Sequence, residues 1–437
     1  MSEPAHYELH ALLGVGGNLM TGTNCTLLQI GLNSPIDPRE MDRPPLDLVL
    51  SIDTSGSMRG TPLRSVQEGL FEMQRVLRAD DRVTVVAYSD VAYVVAEDLA
   101  GDDAEAIGAA IDDLEAFGST NLYDGLFTAL DMAAARRAAD REARVIFLSD
   151  GVGTAGLTHP ARLEALADGY ARQGVGITTI GLGQDFDLDT MRAISDTGAG
   201  NFYFLEDPTA AAEVFAEEAL TFLVPVALDV QIEVYAGEGY TVRGAYGTRG
   251  WTGGLRSGIV DQASLFLAGR QRADDPIEGG RRGGGGGILI ELMPRTGADP
   301  ADPEQVGEVA MTYTDPQTGE TLEQRVDIRN PFAPGEIPNG GHFTHDTVRK
   351  GFVILNILVA FQLAAELAQE ADYPNAIALL EALGEGVSAW LVDHPDPDIE
   401  DDLRYVDLFR DNLATAERRL GVETRTPPAP VEPWPAD

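Results

Sequence analysis

The chain has 437 residues, with 71 Asp and Glu against 31 Lys and Arg, and a formal charge of −40. So large an acid excess gives no footprint for a phosphate backbone, and an anionic membrane surface would repel it, so nucleic acid and membrane binding are set aside. Lys350 is the one lysine, and it lies in Thr347-Val348-Arg349-Lys350-Gly351-Phe352, which lacks the glycines and hydroxyl of a P-loop.

Hydrophobic residues make up 44% and charged residues 23%, a composition that buries real cores over two to four domains. Cys25 stands alone and cannot form an internal disulfide, and Met1 to Gly14 shows no basic region followed by an apolar run. The expected location is the cytoplasm. The scarcity of lysine suits either a halophile's surface or a GC-rich genome's preference for arginine, and the two stay open.

Tyr7 to Ile30 alternates at period two but is too short to fold alone. Residues 1–44 are therefore expected to lend strands to a later sandwich, which makes the following α/β domain, residues 45–224, an insertion. That domain starts with the apolar run Leu46 to Ile52, which stops at Asp53 and turns at Ser55-Gly56-Ser57 into a helix beginning at Thr61-Pro62. Further strands are read at Arg82 to Tyr88, Ala92 to Ala96, Ala143 to Leu148, Gly174 to Gly181 and Asn201 to Leu205. Helices are read at Asp102 to Phe117, Leu122 to Ala139, Pro160 to Arg172, Leu188 to Ser195 and Pro208 to Phe222. Strands and helices in this alternation predict a doubly wound, Rossmann-like, mostly parallel sheet with Ala92 to Ala96 as an antiparallel edge.

After Pro225 the period becomes two, in Ala227 to Val234, Ile288 to Leu292 and Val306 to Thr314, which predicts a β-sandwich over residues 225–340. Gly279 to Gly287 reads as a hairpin loop, since no helix follows it. Residues 341–421 read as a cap of three helices, Asp346 to Gln369, Asn375 to Trp390 and Asp401 to Leu420, and the proline-rich residues 422–437 as a disordered tail. The apolar stretch Gly351 to Ala368 is interrupted by Asn356, Gln362 and Glu366 and reads as a buried helix, not a membrane span.

Asp53-Thr54-Ser55-Gly56-Ser57 places a carboxylate and two serine hydroxyls on the turn after a buried strand, where open α/β sheets bind ligands. Gly118-Ser119-Thr120-Asn121 opens a helix at the same edge, and Ser149-Asp150-Gly151 ends the next buried strand. Neutral hydroxyls with two carboxylates form an oxygen-only set suited to octahedral Mg2+.

With these residues in place, Pro45 to Val224 resembles a von Willebrand factor type A domain with a complete metal-ion-dependent adhesion site. The resemblance implies that Ser55, Ser57 and Thr120 ligate the metal through their hydroxyls, while Asp53 and Asp150 hold metal-bound water and orient them. It implies Mg2+, or else Mn2+ or Ca2+, and an open position for an Asp or Glu carboxylate from a partner protein. Gly181-Leu182-Gly183-Gln184-Asp185-Phe186-Asp187 and Gly200-Asn201-Phe202-Tyr203-Phe204 are similar to phrases in bacterial and archaeal members that carry a trailing sandwich and helical cap. The sandwich with an insertion also resembles inter-alpha-trypsin inhibitor heavy chains and pilus-tip adhesins. Other members of the family serve intracellular multi-protein assemblies.

Asp185, Asp187 and Asp189 alternate like a calcium loop but precede a helix, so capping is the expected role. The run Asp393, Asp396, Asp398, Glu400, Asp401, Asp402 reads as an acidic helix start, with a weak cation site as the other option. His342 and His345 find no third ligand and are read as structural. Asp124 fits either support of the metal site or an ordinary helix acid. No Gly-x-Ser-x-Gly elbow or His-Glu-x-x-His motif occurs, and the six histidines (His6, His10, His159, His342, His345, His394) lie away from the strand-end turns. The expected function is thus not enzymatic but a Mg2+-dependent protein-interaction module. A scaffold that binds through the sandwich and cap is the alternative, and a metal-dependent hydrolase ranks below it.

Overall fold

In a computed structural model, residues 8–33, 44–138, 140–183, 187–198, 200–205, 225–248, 250–266, 287–295, 297–316 and 318–420 are described. The helix read at Pro208 to Phe222, the glycine run up to Gly286 and the tail 422–437 lie outside the described residues.

The chain begins with a hairpin of β1 (Glu8–Gly17) and β2 (Asn24–Asn33). It then enters the α/β domain through β3 (Leu46–Asp53), a 3-10 turn (Gly56–Met58) and α1 (Thr61–Gln74). β4 (Arg82–Tyr88), β5 (Ala92–Ala100), α2 (Ala104–Asp112), α3 (Leu122–Ala135) and β6 (Glu142–Ser149) follow. α4 (Pro160–Ala171), β7 (Val175–Leu182), α5 (Leu188–Thr197) and β8 (Phe202–Leu205) complete it.

These strands form one sheet in the order β5-β4-β3-β6-β7-β8, parallel throughout except for β5 against β4. β3 is wholly buried because both faces are covered. Leu46, Leu48, Leu50 and Ile52 pack under α1 and α2, while Val49 joins Val145 and Phe147 under α3 and α4. The chain runs outward from β3 to β4 on one side and to β6 on the other, so the carboxyl ends of β3 and β6 flank a topological switch point, the crevice where such sheets take ligands. α2 stops at Asp112 instead of continuing to Phe117, since the Phe117 amide leaves the helical path to donate to Thr54 O at 2.7 Å.

The sandwich is built from β9 (Pro225–Ala236), β10 (Tyr240–Tyr246), β11 (Trp251–Gly253) and β12 (Ser257–Phe266). It continues through β13 (Ile288–Pro294), β14 (Gln305–Thr314), β15 (Thr321–Arg329) and the two-residue β16 (His342–Phe343). Its sheets run β10-β13-β2-β1-β16 and β11-β12-β9-β14-β15, so the amino-terminal hairpin fills the middle of one sheet. The α/β domain occupies the connection between β2 and β9.

Three helices follow: α6 (Asp346–Gln369), α7 (Tyr373–Asp393) and α8 (Pro397–Leu420). α6 is apolar on two faces because both are covered. Val348, Phe352, Leu355 and Val359 pack on Cys25, Leu27 and Leu289 of the sheet, and Val353, Ile357, Ala360 and Ala364 pack on α7 and α8. By length and composition α6 and α7 would each also span a bilayer.

Candidate metal centre

The site starts from a buried carboxylate. Asp53 ends β3 with no exposed surface, and its oxygens accept the Ser55 amide at 2.8 Å and the Ser149 hydroxyl at 2.7 Å. Burial raises the Asp53 carboxyl above its ordinary value, and the bonds from Ser149, Ser55 and the Asp150 backbone pull it back. The neighbouring Thr54 donates both its amide (2.8 Å) and its hydroxyl (3.1 Å) to Tyr88 O. Tyr88 in turn donates its hydroxyl to Leu148 O at 2.7 Å and stacks on Phe147 at 5.2 Å between centroids. The ends of β3, β4 and β6 are thereby tied together.

The 3-10 turn then brings the serine side chains to one side. Met58 is a buried plug whose amide donates to Ser55 O at 3.1 Å. Ser55 Oγ and Ser57 Oγ lie 2.9 Å apart, and Ser57 donates to Asp150 Oδ1 at 2.7 Å. Thr120 arrives on the third loop, held by three main-chain bonds: its amide donates to Thr154 Oγ at 2.9 Å, and its carbonyl accepts the Thr154 and Ala155 amides at 2.9 and 3.1 Å. Gly118 has φ +78°, and a Cβ there would meet the Asp90 carboxylate at 2.8 Å, so the turn before Thr120 requires glycine. Gly151 closes the cradle. A methyl at that position would lie 3.7 Å from Thr120 Oγ and 3.8 Å from Ser57 Oγ.

The fold therefore gathers Asp53, Ser55, Ser57, Thr120 and Asp150 on three adjoining loops. Their chemistry and spacing fit a hard divalent ion. Neighbouring oxygens around Mg2+, bonded at about 2.0–2.1 Å in an octahedron, are separated by √2 times that length, about 2.9 Å. The Ser55–Ser57 hydroxyl pair, at 2.9 Å, matches that edge length, and Asp150 Oδ1 accepts the Ser57 hydroxyl at 2.7 Å beside it. Among the described residues no group of three or more His, Cys, Asp or Glu is placed to hold a metal, so an ion here would depend on the hydroxyls.

Other residues support the site. Ser149 was visible only as a neighbour of Asp150. Asp90, in the hairpin turn, accepts the Ser119 amide at 2.9 Å and its hydroxyl, and these bonds hold its carboxyl below the ordinary range. Asn121 caps α3 and donates to Asp90 O at 3.0 Å. Asp124 accepts the Ala92 amide at 2.6 Å, which ties α3 to β5 behind the hydroxyl cluster.

The remaining candidates go elsewhere. Asp187 caps α5, accepting the Thr190 amide at 3.1 Å and its hydroxyl at 2.6 Å, while Asp185 lies outside the described residues. The acidic run at the start of α8 does hold a cation, but that cation is Lys350, 2.7 Å from Asp396 and 2.6 Å from Asp398. His345 caps α6, and His342 packs edge-on against Phe332 at 5.5 Å.

Residues 48–152 match the von Willebrand factor type A domain family. The uncharacterized protein YfbK of Escherichia coli (strain K12) is 30% identical over 211 residues, 48% of this chain and 36% of that protein. The uncharacterized protein sll0103 of Synechocystis is 30% identical over 191 residues, 44% of each. The chain thus spans less than half the length of these curated relatives. Among solved structures, a von Willebrand factor type A protein from Catenulispora acidiphila aligns with a TM-score of 0.60 at 18% identity, over 93% of this chain and 90% of that one. That likeness is one of fold.

Proposed function

We propose, from the premise that this chain carries a von Willebrand factor type A domain, that the domain is a Mg2+-dependent protein-interaction module in which a partner's Asp or Glu carboxylate completes the metal's coordination. The observation that carries the reading is the pair of hydroxyls of Ser55 and Ser57 at octahedral spacing, with Asp150 hydrogen-bonded to Ser57. Ser55, Ser57 and Thr120 would hold the ion with their hydroxyls, with Asp150 beside them. Asp53 orients Ser55 through its amide and is itself fixed by Ser149. Bound Mg2+ would supply the positive charge that lets a further carboxylate approach two acidic groups. The chain's own contribution is preorganisation: Thr54, Tyr88 and Thr154 fix the three loops before any ligand arrives. Mn2+ has the same oxygen preference and is expected to substitute.

Two measurements test this together. Calorimetric titration of Mg2+ into the full chain should show one site that Asp150→Ala and Ser55→Ala remove. Affinity capture run with Mg2+ and with chelator should yield a partner only in the first, and neither variant should retain it. Full capture by both variants would overturn the reading.

A further inference from the structure

Beyond the metal itself, the loops that form the site display large apolar side chains to solvent. Val91 follows Asp90 in the β4–β5 turn and is 61% exposed; Phe117, three residues before Thr120, is 46% exposed; Val152 and Leu157, just after Asp150, are 51% and 44% exposed. Their backbones are not free to fold these side chains away. The Phe117 amide is bound to Thr54 O at 2.7 Å, Val91 O accepts the Ser89 amide at 3.2 Å, and the Thr154 and Ala155 amides between Val152 and Leu157 are bound to Thr120 O. Isolated exposed apolar residues need no explanation, but several on loops fixed around one polar centre mark a surface built to be covered. The segment that leads from α2 into Phe117 carries the exposed acids Asp112, Asp113 and Glu115, and Arg59 donates to Ala116 O at 3.4 Å beside them.

We infer that the occupant of this face is a protein segment whose metal-seeking carboxylate is flanked by apolar residues and by arginine or lysine. The inference rests on the carboxylate reading above and adds its specificity. The metal site takes the acid, the rim of Val91, Phe117, Val152 and Leu157 takes the apolar flanks, and Asp112, Asp113 and Glu115 take the basic ones. A segment acidic throughout would meet a field of its own sign in a chain of net charge −40.

The test uses the full chain and three fluorescent peptides of equal length, each with one central aspartate. The flanks are leucine and arginine in the first, glycine and serine in the second, and leucine and glutamate in the third. In Mg2+ the first should bind about tenfold more tightly than either of the others, by anisotropy. Combining Phe117→Ser, Val152→Ser and Leu157→Ser should bring the first peptide to within about threefold of the second while calorimetric Mg2+ affinity stays unchanged. Val152→Ser alone provides a milder variant with the same direction. Equal binding of the first two peptides, both lost in Ser55→Ala, would overturn the inference and leave the carboxylate reading standing. No Mg2+-dependent binding of any peptide would overturn both.

Discussion

Ser149→Ala probes how Asp53 is held. The substitution removes one buried oxygen, the hydroxyl 2.7 Å from Asp53 Oδ2, together with its weaker contacts at 3.3 Å to the Gly151 amide and carbonyl. A hydrogen bond to a buried charged group is worth about 1.5–3 kcal/mol, so a loss of about 2 kcal/mol is expected at neutral pH. Serine's bond also favours the ionised carboxyl, against a burial effect that raises it. Without that bond the folded-state value climbs further above the unfolded one. Between those two values the folded chain binds the proton more tightly, so stability falls as pH rises through that window. The deficit of the variant is therefore complete above the folded value and narrows as pH falls toward the ordinary carboxylate range. None of the three tryptophans (Trp251, Trp390, Trp434) lies in the α/β domain, so fluorescence is the wrong probe. Amide exchange at Leu50 and Ile146 reports it directly, and about 2 kcal/mol corresponds to exchange about 30-fold faster. A deficit equal at neutral and acid pH, or below about 0.5 kcal/mol, would refute the assignment of Ser149 to the Asp53 charge.

Gly125→Ala would drive a methyl into the fully buried Tyr88 ring, at an expected cost of about 1–3 kcal/mol seen as faster exchange along α3. Glu291 is buried between the sheet and α6, and burial raises its carboxyl even with Arg243 Nη1 at 3.3 Å. The stability advantage of wild type over Glu291→Gln should therefore fall as pH rises from about 4.5 and then level off, as measured by thermal unfolding. A difference flat with pH would show that the group does not titrate on folding. Lys350→Met leaves Asp396 and Asp398 facing each other at a partly exposed position. About 1 kcal/mol should be lost at low salt and less in molar KCl, with Trp390, stacked on His394 at 4.9 Å, as the fluorescent reporter of the cap.

How far the sequence alone reached can be seen at single residues. β3 was legible because its continuous apolar run ended abruptly in Asp53, and the run is continuous because helices cover both faces of the strand. The hydroxyls of Ser55 and Ser57 were legible from local spacing, since one turn suffices to bring them within 2.9 Å. The Ser149 bond to Asp53 joins positions 96 residues apart across the switch point, and no local pattern encodes it. The early end of α2 has the same cause: a hydrogen bond from Phe117 to Thr54 outcompetes a sequence that would continue as helix. Asp396 and Asp398 looked like a possible ion site because acidic spacing reports charge without its partner, and Lys350 lies 46 residues from the nearer of them.

The charge of −40 also acquires a local meaning at these sites. Much of the buried or clustered acid is answered by the fold: Asp53 by Ser55 and Ser149, Asp90 by Ser119, Asp396 and Asp398 by Lys350. At the Ser55–Ser57–Asp150 cluster the Ser57 hydroxyl donates to Asp150, and a hydroxyl supplies a dipole, not a charge. A carboxylate approaching that cluster without an ion meets Asp150, Asp90 and the acids of the 112–115 segment through a field screened only beyond about 8 Å at physiological salt. On the proposed reading, a divalent ion reverses the local sign at this cluster. The surrounding acidity then acts as a second condition, because it suppresses binding in the ion's absence more strongly than a neutral domain would. On that reading the excess charge that argues against nucleic acid would also make carboxylate capture conditional on metal.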